Sequence, residues 1–199
     1  TGDFNCSRNS LISLFEGPTE VNDFDCSYNQ LKNLSYAPKE VKGNFDCSNN
    51  LIDSVKGMPR TVKGYFNCST NKIATLKGGP KYVDATFDCS QNLIDRLTGG
   101  PVSVGQDYLC FKNNLTDLDG VADEIGFDLV SDIRLNHLSS TFNEEEKTWR
   151  YKGSEVISHI YKPIVALTNV DDISRWLRKH EIKNFTILKD NSVNVHGDV

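Results

Sequence analysis

Six cysteines, Cys6, Cys26, Cys47, Cys68, Cys89 and Cys110, are the side chains of this 199-residue chain with the widest chemical reach. A thiolate can attack a carbonyl, ligate a metal or close a disulfide. Their spacing argues against all three. The intervals are 20 residues once and 21 residues four times, whereas metal sites and disulfide frameworks place cysteines at short and unequal intervals. A constant interval makes each cysteine the same structural position in successive coils, a small buried hydrophobe in its reduced form. Reducing conditions follow as a corollary.

The other reactive residue types are no better organised. His137, His159, His180 and His196 contain no His-x-x-x-His pair and fall in different elements, which reads as surface or helix-end positions. Ser7, Ser27, Ser48, Ser69 and Ser90 follow the cysteines, but no Gly-x-Ser-x-Gly elbow or neighbouring base activates them. They read as strand-surface residues. The Gly-Gly-Pro steps ending at Pro80 and Pro101 lack the Gly-Lys-Ser/Thr of a phosphate loop and read as turns. Catalytic residues, metal ligands and cofactors are therefore expected to be none.

The elements that carry these residues repeat with them. Two residues before each cysteine stands an aromatic (Phe4, Phe24, Phe45, Phe66, Phe87, Tyr108), and three after it an Asn (Asn9, Asn29, Asn50, Asn71, Asn92, Asn113). Five and eight after it come aliphatic residues, as in Leu31 and Leu34 or Ile52 and Val55. Aromatic and cysteine, two apart, share one face of a short strand, and their neighbours face solvent. The Asn marks a turn whose bend leaves backbone groups for its amide to bond. Pro18, Pro38, Pro59, Pro80 and Pro101 then open a return segment, expected as an extended and poorly hydrogen-bonded back wall. Self-similarity at a period of about 20–29 residues predicts a solenoid. A seventh, eroded unit has Val130 in the cysteine place, Ile133 in the Asn place, and Leu135 and Leu138 as its aliphatics.

The segment Phe24-x-Cys26-x-x-Asn29-x-Leu31 fits the L-x-L-x-x-N-x-L strand of the leucine-rich repeat family, with Phe and Cys replacing the first two Leu. The chain resembles that family in the short form, with a Pro in the return segment, that bacterial effector proteins carry. Its Cys-Ser-x-Asn core is similar to repeat proteins encoded by tailed bacteriophages. The resemblance implies an α/β solenoid, a right-handed leucine-rich repeat coil of about seven repeats with parallel strands on its concave face, over residues 1–141. The effectors' catalytic cysteine lies in a large separate ligase domain without counterpart here, so that activity is not implied.

Beyond Phe142 the period is lost, and residues 142–199 are expected as a small helix-helix-hairpin αβ segment, a cap or linker leading into a further repeat. Residues 143–147 read as a helix start or a solvated acidic linker. An apolar stripe over Ser154 to Leu167 predicts a first helix, ended or kinked at Pro163. A second is marked by Asp171 and Asp172 in its first turn and by Arg178, Lys179 and His180 at its end. Alternation in Phe185–Leu188 and Ser192–Val195 predicts a β-hairpin. The opening Gly2-Asp3-Phe4 and closing Gly197-Asp198-Val199 both match the repeat lead-in Gly43-Asn44-Phe45, so the chain is expected to be cut from a longer one.

A net charge of −5 argues against general nucleic-acid binding. No apolar run approaches the roughly 18–20 residues of a membrane span, and no leader peptide opens the chain. The outward positions offer a candidate partner surface, acidic and rich in amides: Asp23, Asp25, Asp46, Asn49, Asn67, Asp88 and Asp107, with Tyr28, Tyr65, Leu109 and Phe111 as apolar anchors. Lysines such as Lys39, Lys42, Lys56 and Lys63 mark the return side. The expectation is a non-enzymatic protein–protein interaction module with a basic partner surface. It would belong to a larger phage-encoded chain that decorates or builds a virion, among other virion subunits. The alternatives are an intracellular binder that inhibits a host protein during infection, and the substrate-binding arm of an enzyme whose active domain lies elsewhere. Virion or reducing host cytoplasm is the expected location.

Overall fold

A coil of some twenty residues buries too little by itself to hold a shape, so each coil is stabilised by its neighbours. The computed structural model describes residues 2–135 and 138–157 in full, and 185–187 and 193–195 as backbone strands. It divides into two compact units, Thr1–Ile157 and Ser158–Val199. In the first, inner and return strands alternate along the chain: β1 (Phe4–Asn5), β2 (Glu20–Val21), β3 (Phe24–Asp25), β4 (Glu40–Val41), β5 (Phe45–Asp46), β6 (Thr61–Val62), β7 (Phe66–Asn67), β8 (Tyr82–Val83), β9 (Phe87–Asp88), β10 (Ser103–Val104), β11 (Tyr108–Leu109), β12 (Glu124–Ile125) and β13 (Asp128–Ser131). The odd-numbered strands pair in parallel, in unbroken order from β1 to β13. The first unit is a β-solenoid.

Register follows the aromatic column: Phe4 pairs with Phe24, Phe24 with Phe45, and so on to Tyr108 with Leu129. Neighbouring rings therefore pack in line inside the coil, with centroids 5.0 Å apart for the tilted pair Phe24–Phe45 and 5.7 Å for the stacked pair Phe66–Phe87. Phe45, Phe66, Cys47, Cys68, Ile52 and Ile73 are all fully buried. Each large side chain so enclosed contributes roughly 1.5–3 kcal/mol.

The return side departs from expectation. Its prolines predict a poorly hydrogen-bonded wall, yet β6, β8, β10 and β12 form a second parallel sheet, and β2 pairs β4. Proline removes a donor only at its own position; the ladder resumes one residue later, with Lys39 N donating to Thr19 O at 3.0 Å and Lys81 N to Arg60 O at 2.8 Å. The serines after the cysteines are a second correction. Ser27, Ser48, Ser69 and Ser90 are buried, because the turn starts at that position and folds them under.

Residues 143–147 are neither a helix start nor a linker. β14 (Ser140–Asn143) and β15 (Thr148–Lys152) form an antiparallel hairpin, and β15 pairs antiparallel with β13. Asn143 Oδ1 accepts the N–H groups of Glu145 and Glu146 at 3.0 and 3.1 Å and so sets the turn. The acidic run sits on that turn, where it mimics the first turn of a helix in sequence alone. Residues 153–157 are helical, at the start of the predicted first helix. The rest of that helix and the whole predicted second helix lie outside the described residues. In the second unit, β16 (Phe185–Ile187) and β17 (Val193–Val195) pair antiparallel with Phe185 opposite Val195, the hairpin expected there. The helix component of the expected α/β class is limited, among the described residues, to 153–157.

Candidate interaction surface

On the inner strands the residue between aromatic and cysteine points away from the core, and in five coils it is Asn5, Asp25, Asp46, Asn67 or Asp88. The strand ends two residues later, so a side-chain oxygen there can cap the turn. It does so in each coil: Ser7, Ser27, Ser48, Ser69 and Ser90 donate their N–H to that oxygen at 2.9–3.0 Å. The column is also cross-linked. Asn5 Nδ2 donates to Asp25 Oδ2 at 3.2 Å, and Asn67 Nδ2 to Asp46 Oδ2 at 3.1 Å. These carboxylates are thus half-buried members of the coil joints.

In the column before the aromatic, Asp3, Asp23, Asn44 and Asp107 receive the next coil. Asp23 accepts Asn44 N at 2.8 Å and Asn44 Nδ2 at 3.3 Å, and Asn44 Oδ1 accepts Tyr65 N at 3.0 Å. Asp107 accepts Asp128 N at 3.1 Å and lies 3.5 Å from Arg150 Nη1, which also binds Asp128 at 3.0 Å. Among the described residues Arg150 is the cation that pairs with this stripe. Asp25, Asp46 and Asp88 have no ion-pair partner among those residues.

Electrostatics follow from this crowding. Burial, with smaller like-charge contributions from Asp46 and Glu146, pushes the Asp88 carboxyl above its usual range, against its bonds to Ser90. Burial first, then the negative field of Asp46, Asp25 and Asp23, raises the Tyr65 phenol. The structure brings Asp23, Asp25, Asp46 and Tyr65 into one field, and Asn67 and Asp88 continue it along the sheet.

The apolar anchors are unequal. Tyr28 is 47% exposed, with Arg8 stacked 4.4 Å from its ring centre, and Tyr65 is 38% exposed. Leu109 is half-buried. Phe111 is only 9% exposed and offers little to a partner. Tyr28 and Asn49 do not lie on the strands. With Arg8, Thr70, Gln91 and Lys112 they occupy the turn in the left-handed region, at φ between 52° and 55°. Sequence reasoning placed Tyr28 and Asn49 on the strand face and missed the left-handed turn, whose signal was faint: Asn49 is the one residue of this column that favours such a backbone.

Chemistry is suppressed where it first looked plausible. Burial pushes the thiols of Cys26, Cys47, Cys68 and Cys89 well above their ordinary range and that of Cys110 up to about 12. Such thiols are poor nucleophiles. Among the described residues no group of three or more His, Cys, Asp or Glu could hold a metal ion, and no helix is long and apolar enough to cross a membrane. All four histidines lie outside the described residues. No protein-family model, curated protein or solved structure matches this chain.

Proposed function

We propose that the chain is a non-enzymatic interaction module whose carboxylate stripe, Asp23, Asp25, Asp46, Asp88 and Asp107 with Tyr28 and Tyr65, docks a basic surface of a partner protein. One observation carries this reading. Asn5 and Asn67 cap the same turns as Asp25, Asp46 and Asp88, with the same bond to the serine N–H. An amide therefore meets the needs of the fold, and the carboxylates bring charge in addition. Unpaired, repelling charge on adjacent strands opposes folding, and a cationic partner would neutralise it. The leucine-rich repeat likeness and its phage repeat proteins support a virion structural or decorating role for the parent chain.

The test keeps the turns intact. An Asp25/Asp46/Asp88→Asn variant retains every capping oxygen and removes three negative charges, and is set beside the unaltered chain in a capture from the native source. The reading predicts one retained basic protein, released by added salt and lost by the variant. Retention of the same proteins by both would reject it. A virion subunit as the retained protein favours the structural role, and a host protein favours inhibition.

A further inference from the structure

At each of the five joints between the six Asn-bearing coils the same groups meet. The Asn of one coil donates Nδ2 to the cysteine carbonyl of the coil before it and accepts, through Oδ1, the first aliphatic N–H of that coil. Asn50 does so with Cys26 O and Leu31 N, both at 3.0 Å, and Asn92 with Cys68 O and Ile73 N, both at 3.0 Å. Asn9, in the first coil, bonds the carbonyls of its own Cys6 and Ser7 at 3.1 and 3.0 Å. Among the described residues, nothing meets its Oδ1.

The backbone and the side chains at that end are equally incomplete. The carbonyls of Asp23 and Asp25 each accept an N–H from the first coil at 2.8 Å. By the same repeat the carbonyls of Asp3 and Asn5 point out of the end. Phe24 is 2% exposed beneath the first coil, while Phe4 is 37% exposed, Phe15 64% and Ile12 76%. An open cavity of about 430 Å³ lies beside them, lined by Phe4, Cys6, Leu11, Leu14, Phe15 and Tyr36. The opposite end is closed. There the Tyr151 hydroxyl, carried in by the β14–β15 hairpin, accepts Leu135 N at 2.7 Å as a further Asn would.

We propose that the Phe4 end is an open coil joint, and that its occupant is one more coil of the Phe-x-Cys-Ser-x-Asn-x-Leu pattern, running parallel to β1. Asn9 sets the direction. The two groups it would engage, a cysteine-position carbonyl and an aliphatic N–H five residues later, occur in that order only on a strand and turn running parallel to β1. An antiparallel edge from a second copy does not present them so. The path of the chain agrees: Asn22 N donates to Gly2 O at 2.9 Å, as Gly43 N does to Asn22 O at 2.8 Å and Gly64 N to Gly43 O at 2.9 Å. Gly2 thus already lies on the ladder that links the lead-in of each coil to the next.

The experiment places a copy of residues 42–62 ahead of Thr1, so that Thr1, Gly2, Asp3 and Phe4 take the places of Lys63, Gly64, Tyr65 and Phe66 in register. A shuffled copy of the same residues is the control. Cys6 is the one cysteine not deeply buried, so its rate of alkylation without denaturant reports whether the end is covered. The in-register coil should slow Cys6 labelling about tenfold or more and raise the melting temperature, and the shuffled copy should do neither. Asn9→Ala should lower the melting temperature more in the extended chain than in the bare one. Equal labelling in the in-register and shuffled proteins overturns the proposal. So does a bare chain that sediments as a dimer with Cys6 already protected, since a second copy would then be the occupant. None of these readouts depends on the carboxylate stripe binding anything.

Discussion

In an interior coil one amide side chain answers for four backbone groups. Asn50 donates to Cys26 O, Cys47 O and Ser48 O and accepts Leu31 N, all at 3.0–3.2 Å. The aromatic column shows the opposite case. Tyr108 stands where five preceding coils have Phe, it is fully buried, and its hydroxyl has no hydrogen-bond partner among the described residues. A buried hydroxyl left without a partner costs about 1–3 kcal/mol. Tyr108→Phe should therefore stabilise the solenoid by about 1 kcal/mol, read as a higher urea midpoint at unchanged slope; a loss of stability would mean that the hydroxyl is bonded to water. At this scale the core was legible in the sequence, because Phe, Cys and Asn recur at fixed offsets. The left-handed turn column was not. Thr70, Gln91 and Lys112 have no bias toward positive φ, and only the closure of the coil by its neighbours holds them there.

Elements are held by what lies across the next joint, so a break in one should stay local. The β14–β15 hairpin ends the array through Tyr151, whose hydroxyl accepts Leu135 N at 2.7 Å and donates to Ile133 O at 3.0 Å. Ile133 brings no amide to this coil, and the tyrosine takes the Leu135 N–H that the Asn of a further coil would accept. Tyr151→Phe should cost about 1–3 kcal/mol. Amide hydrogen exchange should quicken across β13, β14 and β15 and stay unchanged across β5 and β7; uniform quickening would show that the solenoid unfolds as one unit. The inner strands could be read from the two-residue offset of aromatic and cysteine. The cap could not, because Asn143 followed by three glutamates carries the same signs in a hairpin turn as at a helix N-terminus. The return sheet was hidden by its prolines, which stand just before the paired residues and not among them.

Over the whole molecule, the carboxylate stripe sets the fold against the surface it presents. Asp88 shows the conflict. Its folded pKa is raised above the ordinary 3.8, first by burial, so on acidification the folded state takes up this proton before the unfolded chain does. Ionised Asp88 thus weakens the fold at neutral pH. That penalty is relieved as pH falls through the raised value and is absent below 3.8. Asp88→Asn keeps the capping oxygen for Ser90 N and drops the charge, as Asn67 does one coil earlier. It should raise the melting temperature by a few degrees at about pH 7, with the gain vanishing at about pH 3. A gain that persists at low pH would place its origin in packing and not in charge. If the pH-dependent gain is found and the triple Asn variant also loses its partner, the same carboxylates weaken the coil and make the contact. That pairing is the trade of stability for function expected when a charge is retained at a position where an amide suffices.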